Sequence, residues 1–99
     1  MVMKYKPVFL PLANNDIIRI DEALSDYPDK TRRIFMEMDK KVALLEDMPY
    51  MWPVYQANQE YRRMIIEDHL LFYKVDEGER KIKIYRVLYN KMNISEHLE

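Results

Sequence analysis

The chain contains no cysteine, which excludes disulfides and thiolate chemistry and points to a reducing compartment. Its single glycine, Gly78, cannot build a glycine-rich phosphate loop. Histidine is almost as scarce. His69 and His97 stand far apart with no partner at helical spacing, so neither a metal centre nor a cofactor is expected. Serine is limited to Ser25 and Ser95, at a helix end and in the tail, which argues against a serine triad. Charge of one sign is also missing: 16 basic against 17 acidic residues leave a net charge of −1. Dedicated nucleic-acid binders tend to be strongly basic, so only a local basic patch is available. No apolar run approaches the roughly 18 residues of a membrane span. The start, MVMKYKPVFL, is too broken by charge and proline for a signal peptide. A soluble, cytoplasmic protein is the expectation.

What is present is an ordinary globular composition, 48% hydrophobic and 33% charged over 99 residues. That length supports one core and one domain, residues 1–99. From Met3 to Phe9, Tyr5, Pro7 and Phe9 alternate with Lys4, Lys6 and Val8, as in a strand. Pro7 has no N–H for a ladder and is expected on a solvent-facing edge or at a bulge. Pro11 can open a helix. Ala13, Ile17, Ile20, Leu24 and Tyr27 then make an amphipathic stripe that Pro28 is expected to stop. Asp29 is a candidate cap for a second helix, Lys30 to about Asp47, with Ile34, Phe35, Met38, Val42 and Leu45 on its apolar side. So short a link between helices implies an antiparallel hairpin.

Met48-Pro49-Tyr50-Met51-Trp52-Pro53 reads as an irregular crossing with Trp52 capping the core, and Val54-Tyr55 as a short strand. Three strands follow: Tyr61–Ile66, His69–Val75 and Lys81–Tyr89. The second turn, Asp76-Glu77-Gly78-Glu79, places glycine where a positive φ is expected. Strict alternation in the last strand would put Ile82, Ile84 and Leu88 on one face, and Arg86 with them, opposite Lys83, Tyr85, Val87 and Tyr89. An arginine on that apolar face needs a carboxylate or carbonyl partner, or a groove to point into. The expected fold is α+β: an N-terminal strand, an antiparallel helical hairpin, then a three- to four-stranded antiparallel meander. The helix-free face is expected to be open, and so to drive a homodimer or to expose an aromatic patch.

Chemistry has few candidates. Glu67-Asp68 sits in a turn, where solubility explains it. The remaining set is basic and aromatic: Tyr61, Arg62, Arg63, Arg86, Tyr89, Lys91 and His97. Arginine with tyrosine and histidine can hold phosphate, stack bases and move protons in a metal-free RNA cleavage.

Tyr61-Arg62-Arg63-Met64-Ile65-Ile66, the run from His69 to Asp76, and Ile82-Lys83-Ile84-Tyr85-Arg86-Val87-Leu88-Tyr89 together resemble the RelE/ParE toxin superfamily. Its members often carry a Y-R-x-hydrophobic strand, a strand ending F/V-Y-x-V, and a closing I-x-R-V-L-H-x-R-x-D. The resemblance implies a bacterial type II toxin, active in growth inhibition and plasmid stabilisation and held inactive by an antitoxin from the adjacent gene. Such antitoxins wrap a segment that folds on binding over the toxin. One branch of the superfamily cleaves mRNA in the ribosomal A site; the other poisons DNA gyrase.

This sequence departs from the cleaving branch at two places. Leu70 stands where that branch commonly has an arginine, and Tyr89-Asn90-Lys91-Met92-Asn93 replaces a closing H-G-R-R-D. Lysine keeps a charge but loses the bidentate fork. The favoured expectation is therefore a gyrase-poison-like toxin that binds its target without catalysis. The alternatives are a ribosome-dependent endoribonuclease and a non-toxic homologue that only binds antitoxin. If the chain is a ribonuclease, Arg62, Arg63, Arg86, Tyr89 and Lys91 are the candidate catalytic residues, with Tyr89 or His97 moving the proton. Tyr61, His69, Tyr85 and His97 are the candidate partner-binding residues.

Overall fold

The computed structural model describes residues 4–98, in which a four-stranded sheet carries two helices on one face. Its elements are β1 (Lys6–Phe9), α1 (Pro11–Ala23), α2 (Pro28–Leu45), β2 (Arg62–Ile66), β3 (His69–Asp76) and β4 (Lys81–Tyr89), followed by a 3-10 turn at Ile94–Glu96. Met3, expected to begin the first strand, lies outside the described residues. The strand order is β1-β4-β3-β2. The meander β2–β3–β4 is antiparallel, and β1 adds to it as an edge strand parallel to β4. Lys6 N and Leu10 N donate inward to Arg80 O and Ile84 O, each at 2.9 Å. Pro7, between them, therefore lies on the outer edge, where its missing N–H costs no ladder bond.

Pro11 opens α1 as expected, but Pro28 works differently. α1 ends at Ala23, and Leu24, Ser25 and Tyr27 turn the chain through backbone bonds. Pro28 occupies the first turn of α2 rather than terminating α1, a position where no N–H is required. Tyr27 is the N-cap, and Asp29 lies in the first turn beside Arg32, 3.2 Å away, where its charge suits the helix dipole. Tyr27 is consequently exposed rather than part of the α1 stripe.

Between helices and sheet lies the main core, with Ala13, Ile34, Leu45, Met64, Leu71, Tyr73, Ile82 and Ile84 fully buried. Each large apolar side chain there contributes roughly 1.5–3 kcal/mol. The crossing from Met48 to Pro53 is bound to this core. Tyr73 Oη donates to Pro49 O at 2.8 Å, and Trp52 packs against the cluster with Lys41 Nζ 5.2 Å from its ring centroid. The strand expected at Val54-Tyr55 reduces to one bridge, Val54 to Arg62.

Two local features overturn simple alternation. Gly78 has no positive φ; the left-handed residues are Glu67 (φ 52°) and Arg80 (φ 53°). The turn is set instead by Asp76 Oδ1, which accepts from Glu79 N at 3.0 Å. In β4, Phe72 pairs with Arg86 while Tyr73 pairs with Ile84, leaving Tyr85 as an extra, bulged residue. The bulge changes phase. Ile82, Ile84 and Val87 belong to the helix-side core, whereas Leu88 and Tyr85 belong to a second cluster on the opposite face.

That second cluster corrects the expectation of an open sheet face. Tyr61, Phe72, Leu88 and Leu98 are buried, with Tyr55, Leu70, Tyr85, Met92 and Ile94 packed around them. Tyr55 and Tyr61 come from the loop before β2, and Met92, Ile94 and Leu98 from the segment after β4. The face on which a dimer or an exposed aromatic patch was expected is thus covered within the single chain.

Candidate functional site

The residues expected to carry chemistry do not converge. Arg62, at the start of β2, turns towards the crossing loop. Its Nη1 donates to Trp52 O at 2.8 Å and Tyr50 O at 3.4 Å, and the guanidinium lies 4.8 Å from the Tyr50 ring centroid. Arg63, one residue on, falls on the other face of the strand. It lies over the Tyr55 ring at 5.9 Å, with its buried Nε unbonded. Lys91 lies beyond β4, exposed and without an ion pair to a described residue.

Arg86 is the most constrained of the set. Its Nε and Nη2 donate to Asp16 Oδ2 and Oδ1 at 2.8 and 2.9 Å, and Nη1 donates to His97 O at 2.9 Å. Val87 N adds a further bond to Asp16 Oδ2 at 2.9 Å. The Asp16 side chain is 3% exposed and that of Arg86 11%. The bidentate pair with Asp16 raises the Arg86 pKa, burial opposing it. This arrangement joins α1, the bulge of β4 and the tail. Asp16 was missed in the sequence, although it interrupts the apolar side of α1 between Ala13 and Ile20, which is a readable signal.

Tyr61, Tyr85, Arg86 and His97 do meet, around a cavity of about 450 Å³ on the tail side, with Leu12 and Glu96 completing it. The Tyr61 and Tyr85 rings stand edge to face, 5.4 Å apart. Lys74 Nζ lies 4.7 Å from the Tyr61 centroid and 5.0 Å from that of Tyr85. Lys74 was another omission: it projects from β3 on the same face as Phe72. The cluster offers rings and cations, and each nitrogen of its arginine already has one partner.

His69 and Tyr89 meet elsewhere, across the paired ends of β3 and β4, with ring centroids 5.6 Å apart. Asp68 joins His69 to α2: its Oδ1 lies 2.9 Å from His69 Nδ1, and its Oδ2 accepts from Lys30 Nζ at 2.7 Å. Burial holds the imidazole below its ordinary range, with Asp68 opposing it. Burial would raise the Asp68 carboxyl, but Lys30 and His69 outweigh it and hold it below the carboxylate range. Among the described residues no group of three His, Cys, Asp or Glu could hold a metal ion. No described helix is long and apolar enough to cross a membrane.

The basic and aromatic set is thus divided among the tail-side cavity, the crossing loop that holds Arg62, and the paired ends of β3 and β4. The family description "ParE toxin of type II toxin-antitoxin system, parDE" matches residues 8–94. The chain belongs to the ParE toxin family.

The fold agrees with that membership. A solved structure described as the chromosomal ParDE TA system from P. aeruginosa superposes with a TM-score of 0.71, covering 87% of this chain and 96% of that one, at 14% identity. No curated protein matches the chain. Membership of the ParE family implies an antitoxin partner. The matched span takes in both faces of the sheet, the Arg86–Asp16 pair and the first part of the tail.

Proposed function

We propose that this ParE-family toxin is neutralised by a cognate antitoxin and arrests growth in the cytoplasm by binding DNA gyrase, without cutting RNA. The observation that carries this reading is the state of Arg86. Each of its three nitrogens already donates to Asp16 or His97 O, so its Nε–Nη2 fork is not available to a developing phosphorane. Arg62 is likewise bound to loop carbonyls. Leu70, half-buried among the cluster around Phe72, further supports a surface that binds rather than cleaves.

The test is a supercoiling and cleavage assay with purified gyrase and increasing toxin. The expected result is loss of supercoiling with accumulation of gyrase-linked DNA breaks, reversed by the antitoxin, while mRNA 5′ ends in a translating extract stay unchanged. Untouched supercoiling at high excess would overturn the reading. So would new mRNA 5′ ends that disappear in an Arg86→Lys, Tyr89→Phe variant. Absence of growth arrest on induction without antitoxin would reduce the chain to an antitoxin-binding module.

A further inference from the structure

At the end of the molecule where α1 meets β4 there is a cavity of about 390 Å³ that the proposed function does not use. Its walls are chiefly apolar, from Ile20, Ala23 and Leu24 of α1, Val87 of β4 and Met92 of the tail. One wall carries His69, whose side chain is only 8% exposed. Nδ1 of that ring is taken by Asp68 at 2.9 Å, and Asp68 is itself held by Lys30 at 2.7 Å. Nε2 has no hydrogen-bond partner among the described residues.

An ionised Asp68 requires Nδ1 to carry the proton, which leaves Nε2 of the neutral ring as a lone-pair acceptor. Nε2 is reachable by water rather than sealed off, so a ligand that donates to it takes the place of water on an otherwise apolar wall. Tyr89 flanks the imidazole, 5.6 Å between centroids, and offers a ring edge or face beside the acceptor. A volume of this size falls within the range of small-molecule sites, about 300–1,000 Å³.

We propose that this cavity binds a small, flat, apolar ring bearing a single hydrogen-bond donor, such as a phenol or an indole, with the donor on His69 Nε2. Asp68 is the positioning residue, since it fixes the tautomer. The site is independent of the gyrase reading and stands or falls separately from it.

The experiment titrates the full chain with 4-methylphenol and, in parallel, p-xylene, which replaces the hydroxyl by a methyl. Binding is read from backbone amide shifts and imidazole nitrogen shifts. Saturable shifts at Ala23, Val87 and Met92 are expected, with Nε2 of His69 moving on addition of the phenol and not of p-xylene. In His69→Phe the affinity for 4-methylphenol relative to p-xylene should fall about 5-fold or more, the penalty for an unpaired buried hydroxyl. Ala23→Met, which adds bulk at the α1 wall, should weaken both. The Nε2 shift in the unaltered protein keeps the test decisive if His69→Phe does not fold. Shifts elsewhere, an unmoved Nε2, or an unchanged preference in His69→Phe would overturn the proposal. A partner's Tyr or Trp ring found in the cavity, with no saturable binding of either probe, would assign the site to a side chain and overturn the small-molecule reading.

Discussion

The two faces of the sheet are covered by different means. On one, α1 and α2 close over Ile34, Leu45, Leu71, Ile82 and Ile84, and the helices satisfy their own backbone bonds. On the other, Phe72 and Leu88 are buried almost as completely, but their cover is a loop and a short tail ending in a single 3-10 turn. The first cover is cooperative with the whole fold. The second depends on Met92, Ile94 and Leu98 and on one backbone carbonyl held by Arg86. Local opening costs least where few apolar contacts and few backbone bonds must be lost, so the tail side is where this chain can change shape without unfolding.

Arg86 links the two faces, and its removal has the largest expected effect. Arg86→Ala leaves the Asp16 charge buried with only Val87 N and a distant Arg19 for company, at 2.9 and 3.9 Å. Breaking a buried pair from one side costs about 3–5 kcal/mol, read as a shift in the urea midpoint. Arg86→Lys restores charge but not the fork, and should recover only part of the loss. A cost for Arg86→Ala within the range of a surface substitution would show that the two faces are not joined there.

A smaller contrast tests the two covers directly. Ile34→Ala, at a fully buried site in α2, should cost about 2–5 kcal/mol. Leu98→Ala, 7% exposed in the tail, should cost about 1–2 kcal/mol, because the tail can resettle over the smaller side chain. Amide exchange should be faster from Met92 to Leu98 than in β3. Equal costs and equal protection would remove the distinction between the faces.

Much of the helix-covered face could be read in the sequence. The spacing of Ile34, Met38, Val42 and Leu45 marks a helix stripe, and β4 runs from Lys81 to Tyr89 as alternation predicts. The other face could not be read in the same way, for one main reason. The bulge at Tyr85 reverses the phase of β4, so Leu88 and Val87 exchange faces, and no local composition signals a bulge where neither Gly nor Pro is present. Arg86's need for a carboxylate followed from its apolar neighbours, but the partner, Asp16, lies 70 residues away. Pairing at that distance is a product of topology. The left-handed conformations of Glu67 and Arg80 were equally hidden: Gly78 was the more permissive residue beside Arg80, and nothing in the Glu67-Asp68 pair marks a positive φ.

Acid provides the next test, on the wall shared by α2 and the β2–β3 turn. His69 is held below its ordinary value of 6.5 by burial, with Lys30 acting in the same direction and Asp68 against it. The unfolded chain therefore takes up that proton first as pH falls. The contribution of His69 is fully present above pH 6.5 and is lost as pH falls through the lower folded value. Asp68, also depressed, adds a loss below its ordinary 3.8. Melting temperature should therefore decline on acidification from about pH 7 to about pH 5, and His69→Phe should flatten that decline. A melting temperature that rises over this range would mean that the imidazole is stabilised as the cation.

The smallest expected effect separates binding from catalysis. Tyr89 is 38% exposed and packs against His69 through its ring, while its hydroxyl makes no hydrogen bond to a described residue. Tyr89→Phe keeps the ring and removes only the proton-carrying group, so stability should change by no more than about 0.5 kcal/mol. In a toxin that acts by contact the variant should arrest growth as the parent does, because ring area rather than acidity supplies the interaction. In a ribonuclease that uses Tyr89 for proton transfer, the same change would lower cleavage by about 100-fold or more. A stable Tyr89→Phe protein that no longer arrests growth would therefore place chemistry at the end of β4 and displace the contact mechanism.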